Sequence, residues 1–179
     1  MSSASILCMI AAGTVTFIAL VTDLRARRIP NWLTGGGLLL GLTANVLLRS
    51  ISDGAPGALS GGLFALSGAV LGFGLLLPFY MIRASGLGHA IGAGDVKLLA
   101  ALGAILGPQV VISVVIYSAL AGALQSIVIL TNQRRLTLLL HQTLIMRSAP
   151  TLGAGKAPYS VAIALGFCLS MVLPPLVRF

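Results

Sequence analysis

The chain has 179 residues, 58% of them hydrophobic and 8% charged, with a mean hydropathy of +1.07. A soluble domain carries about 25% charged residues, so a water-covered globule is excluded and this surface must face lipid. The net charge of +8 comes without the aromatic–basic interleaving of a nucleic-acid surface; no nucleic-acid partner is expected, and the basic residues read instead as a signal of orientation in a bilayer.

The length allows about six spans of ~20 residues with short loops and leaves no room for a second soluble domain. The expected fold is therefore an all-α polytopic membrane helix bundle, one domain over residues 1–179. Met1 to Ser5 carries no basic residue and the apolar run after it ends in arginines, the reverse of a cleaved signal peptide, so the first span is expected to be retained with its N-terminus outside.

Span one is expected from about Ile6 to Thr22, closed by Asp23 and then Arg25, Arg27 and Arg28. Ile29-Pro30-Asn31 breaks the helix, because proline disfavours helical geometry in the residue before it. Span two follows from about Leu33 to Leu48, then a polar turn, Arg49 to Pro56, containing Asp53 as a solvated residue. Span three runs from about Gly57 to Ile82, with Gly57/Gly61 and Gly68/Gly72 at the four-residue spacing that lets helices approach closely in lipid. Arg83 to Gly94 is a glycine-rich loop with His89.

Gly107-Pro108 divides the long apolar stretch that follows. Span four, about Asp95 to Leu106, would then cover roughly 18 Å, less than the ~30 Å hydrocarbon core. It must start below the interface or be shielded by its neighbours. Span five is expected from about Val110 to Thr131 and span six from about Pro158 to Val177; between them Leu136 to Met146 is apolar enough to lie along the membrane surface. Cys8 and Cys168 sit in apolar runs with no Cys-x-x-Cys, and read as small buried hydrophobic side chains rather than metal or disulfide partners.

With the N-terminus outside, the inner loops hold Arg25, Arg27, Arg28, Arg83, Lys97, Arg134, Arg135, Arg147 and Lys156, nine of the 11 basic residues. The acids are scarcer still: Asp23, Asp53 and Asp95, with no Glu. Asp23 and Asp95 fall on the inner, cytoplasmic side and Asp53 on the other. Two carboxylates within a few ångströms do not both ionise readily; one holds a proton and the other does not. Such a pair suits peptide hydrolysis by an activated water, with no covalent intermediate, metal or cofactor. The helix dipole favours charge on Asp95, at a helix start, over Asp23, at a helix end, which would leave Asp23 the protonated member. Gly92 and Gly94 allow positive φ and a close pass of substrate backbone beside Asp95; the bland alternative is a flexible loop before a helix cap. Lys97 either holds an anionic group or tunes Asp95, or snorkels to lipid phosphate.

Gly92-x-Gly94-Asp95-x-Lys97-Leu98 resembles the motif of the type IV prepilin peptidases, the membrane-embedded GxGD aspartyl proteases, and Asp23 with Ile29-Pro30-Asn31 resembles that family's first catalytic segment. The resemblance covers nearly the whole chain. It implies cleavage of the short basic leader of prepilins at the cytoplasmic face of a prokaryotic inner membrane, with Asp23 and Asp95 as the catalytic pair. Gly92, Gly94, Pro30 and Asn31 would shape the site, with Lys97 beside them. The long members carry an extra cytoplasmic domain with paired Cys-x-x-Cys motifs, associated with N-methylation. This chain has no such cysteines and is similar to the short, peptidase-only members of Flp/Tad-type pilus systems, so no methyltransferase activity is expected. Lys156-x-Pro158-Tyr159 adds a fainter likeness to that group. Two other readings stand beside this one: a GxGD protease acting on preflagellin or signal peptides, and a non-enzymatic transporter or assembly scaffold, for which neither aspartate would matter chemically.

Overall fold

The computed structural model describes residues 3–81, 83–84, 88–89, 91–132 and 159–173. They form α1 (Ser3–Ala26), α2 (Asn31–Met81), α3 (Ala93–Leu106), α4 (Pro108–Asn132) and α5 (Tyr159–Val172). A two-rung antiparallel ladder, β1 (Arg83–Ala84) against β2 (Gly88–His89), lies in what the sequence presents as a loop. Three helices, Ser5–Ala26, Asn31–Met81 and Pro108–Ile129, are long and apolar enough to cross a membrane. The apolar stretch Leu136 to Met146, His141, and Lys156 with Pro158 lie outside the described residues.

The expected polar turn at Arg49 to Pro56 is much shorter than the sequence suggests. Helix α2 continues through it with one non-helical residue, Gly54, at φ 68°, ψ −144°. Glycine alone visits that region freely, and Pro56 two residues on suits the first turn of the next rod, where its missing N–H is not needed. The two rods of α2 then fold back on each other. Gly57 lies on the backbone of Arg49 and Gly61 on that of Asn45, so closely that a Cβ at either would overlap it. Asp53 is exposed at this corner, as expected, and the Arg49 guanidinium stacks 4.2 Å from the centre of the Phe64 ring.

Helix α3 is the axis of the bundle. Gly68 meets Gly103 backbone to backbone, Gly72 meets Leu99, and Gly41 would place a Cβ 2.6 Å from the Ala104 carbonyl carbon. Lipid tails are as apolar as leucine, so helices associate in a bilayer through close packing and interhelical hydrogen bonds rather than through hydrophobic transfer. The glycines are what permit that packing here. Leu98, Leu99, Leu102 and Ile105 are at most 1% exposed. A 14-residue helix too short to span is thus walled by α1, both rods of α2 and α4.

The far end of α3 is closed by Asn45 of α2. Asn45 Nδ2 donates to the carbonyls of Ala104 and Ile105, at 3.0 and 3.2 Å, and to Gly41 in its own helix. The last carbonyls of a helix lack intrahelical donors, so Asn45 serves as a side-chain cap from α2. Asn45→Leu leaves those buried acceptors without this donor, and a loss of about 1–3 kcal/mol is expected, read as a fall in melting temperature of the purified protein in lipid. Helix α5 packs on α4, where Gly166 sits against the backbone of Ser118 and Gly122 against the Tyr159 ring, and on α1, where Gly13 faces Phe167. Cys8 and Cys168 are free thiols; Cys168 is exposed rather than buried, because it lies on the outer face of α5.

Candidate active site

The C-terminus of α1 and the N-termini of α2, α3 and α5 meet at one end of the bundle. Helix α1 runs on past the expected end of span one, so Asp23 lies in its last turn, and its carbonyl accepts the Arg27 N–H at 2.7 Å. Arg27 takes a left-handed conformation, φ 51°, which ends the helix and turns the chain. Pro30 then sits at the start of α2, its carbonyl accepting the N–H groups of Leu33 and Thr34 at 3.1 and 3.4 Å. Between the two, Ile29 reaches across to α3: a Cβ on Gly94 would come within 3.1 Å of the Ile29 side chain.

Helix α3 starts two residues earlier than expected, at Ala93, with Gly92 as its N-cap. Asp95 is therefore the third helical residue rather than the cap, and its Oδ2 accepts the Gly92 N–H at 3.2 Å. This corrects the expectation for the glycines. Gly92 is extended, φ −73°, ψ 145°, and Gly94 is inside the helix; neither has positive φ. Their small size matters for another reason. A Cβ on Gly92 would crowd the Asp95 carboxylate at 3.0 Å, and one on Gly94 would displace Ile29.

Asp23 and Asp95, from helices far apart in sequence, come close enough to repel each other electrostatically. Asp95 is 8% exposed and Asp23 half-buried. The Ser160 hydroxyl, in the first turn of α5, donates to Asp23 Oδ2 at 2.5 Å. Beside it Tyr159 is hydrogen-bonded to Ser118 of α4 and lies within electrostatic reach of Asp95. Among the described residues, no three His, Cys, Asp or Glu side chains gather into a metal-binding group.

Lys97 and Asn31 are together but stand apart from this pair. Lys97 Nζ donates to Asn31 Oδ1 at 3.0 Å. Both line a groove of about 540 Å³ between α3 and the two rods of α2, with Thr34, Leu38, Val70 and Phe73 among its walls. Neither aspartate lines it. Lys97 thus ties the start of α2 to the second turn of α3.

Ser160 escaped sequence reasoning altogether. A lone serine in an apolar run carries no signal of its own, and its place directly after Pro158-Tyr159 was the one available hint.

Residues 10–127, which contain both aspartates and all of α2 and α3, match the sequence profile of the type IV leader peptidase family. Over 110 residues, 60% of its length, the chain is 33% identical to the prepilin leader peptidase/N-methyltransferase of Pectobacterium carotovorum subsp. carotovorum. The match spans 36% of that longer protein. No solved structure matches the chain. The family match covers well over half of the sequence, and the chain belongs to the type IV leader peptidase family.

Proposed function

We propose that this protein is a membrane-embedded aspartyl endopeptidase that removes the short basic leader from prepilins of the type IV or Flp kind. The observation that carries the reading is the meeting of Asp23 and Asp95 at one end of the bundle, in a chain of the leader peptidase family. The ionised member of the pair takes a proton from water, and that water attacks the scissile carbonyl. The neutral member hydrogen-bonds the carbonyl oxygen and then supplies the proton that the departing amine needs. Gly92 holds Asp95 through its backbone N–H, and Pro30, Asn31, Gly94 and Lys97 fix the turn of chain above α3.

The same reading takes residues 1–179 as one peptidase domain of six spans in a prokaryotic inner membrane, N-terminus outside, with the site facing the cytoplasm. The skew of basic residues supports that orientation. The substrate's basic leader would then meet the site from the cytoplasm while its hydrophobic helix stays in the bilayer. The test is incubation of the purified protein, in lipid nanodiscs, with a full-length prepilin, the products being weighed by mass spectrometry. One cut between the basic leader and the hydrophobic helix is expected. An intact prepilin, alongside cleavage of a preflagellin or signal peptide, would move the substrate class; a cut inside the mature domain would contradict the reading.

A further inference from the structure

Each aspartate of the pair has one carboxylate oxygen held by a donor from elsewhere in the chain. For Asp95 it is Oδ2, on the Gly92 N–H, a bond local to the start of α3. For Asp23 it is also Oδ2, but the donor is the hydroxyl of Ser160, brought from the other end of the sequence. Ser160 is 1% exposed. Serine and threonine hydroxyls in helices often satisfy themselves on a carbonyl three or four residues back, as Thr16, Ser118 and Ser170 do here. Ser160 stands in the first described turn of α5, and its hydroxyl donates across to α1 instead. The hydroxyl points outward from α5 onto α1.

We propose that Ser160 is a positioning residue for Asp23: its hydroxyl fixes one carboxylate oxygen and so orients the other toward the water and the scissile bond. The proposal rests on the proteolytic reading above. Asp23 needs such a support more than Asp95 does. It lies in the last turn of α1, just before the chain turns at Arg27, and it has no backbone N–H among the described residues to hold its carboxylate. The support of Ser160 is itself braced. Tyr159, its neighbour, is hydrogen-bonded to Ser118, and its ring lies on Gly122, so the first turn of α5 is keyed into α4 at the level of the pair. A carboxylate free to rotate would spend much of its time misaligned, and a misplacement of about 1 Å at a reacting group costs on the order of 100-fold in rate.

A purely structural hydrogen bond between α1 and α5 is the competing account, and the two separate in a set of measurements on the full-length protein in lipid. Ser160→Ala and Ser160→Cys are compared with wild type for kcat, KM and melting temperature on a prepilin, and for the carboxyl bands in the infrared. The chain has three acidic side chains, so the Asp23 band can be assigned by its loss in Asp23→Asn. The expected result is a shift of that band in Ser160→Ala, with kcat lowered about tenfold or more, KM within about twofold and the melting temperature nearly kept. Ser160→Cys, a weak donor of similar size, should fall between. An unmoved Asp23 band overturns the proposal, whatever the activity. A shifted band with kcat intact, or a kcat loss that tracks a falling melting temperature, overturns it in favour of the structural account. Wild type that fails to cleave sinks the proteolytic reading instead, and the infrared comparison still decides the bond.

Discussion

Gly103→Ala is expected to destabilise the bundle, although alanine is the better helix former by about 1 kcal/mol. Gly103 lies where α3 crosses the second rod of α2, and an added Cβ there would overlap the backbone of Gly68. A clash with backbone cannot be relieved by a rotamer change. Helix α3 cannot retreat either, because Gly41 holds it against the first rod and Gly72 against the second. Overpacking of a filled core costs about 1–3 kcal/mol, which outweighs the gain in propensity. Gly74 supplies the control: nothing lies within 4 Å of a Cβ placed there, so Gly74→Ala should leave stability unchanged or raise it. Melting curves and size-exclusion profiles of the two variants in the same detergent decide the matter. A Gly103→Ala protein as stable as Gly74→Ala would mean that the crossing is looser than the structure has it.

Asp95→Asn and Asp23→Asn are each expected to remove peptide cleavage while leaving the fold in place. Asparagine keeps the size of the side chain. At position 95 its carbonyl oxygen can still accept the Gly92 N–H, and at position 23 it can still accept the Ser160 hydroxyl. What it cannot do is take a proton from water. Losing a general acid–base group costs about 10²–10⁴-fold, and because the pair acts as a unit, either change alone should incur most of the loss.

Much of this architecture was legible in the residues. The four-residue glycine spacing from Gly57 to Gly72 marked the contact face of the second rod of α2, and all four glycines meet backbone there. The break before Pro56 was legible as well, though one glycine accomplishes what looked like a turn of several residues. The two scarce acids pointed to one end of the bundle, and they meet there. The conformation of Gly92 was not legible. Glycine permits positive φ without requiring it, and here the need was for space beside a carboxylate. Asn45 could have been found, since an amide inside an apolar span must satisfy its hydrogen bonds on something. Ser160 could not: its partner is set by how α5 docks on α1, a long-range packing that no local pattern encodes.

The central claim is that Asp23 and Asp95 form one proteolytic unit. Single-turnover cleavage of a full-length prepilin by wild type, Asp23→Asn, Asp95→Asn and the double variant, with enzyme in excess and each protein in lipid nanodiscs, tests it most directly. The account predicts that both single variants fall by at least about 100-fold and that the double variant is no slower than the slower single. Either single variant cleaving near the wild-type rate, or two losses that simply multiply in the double, would contradict it.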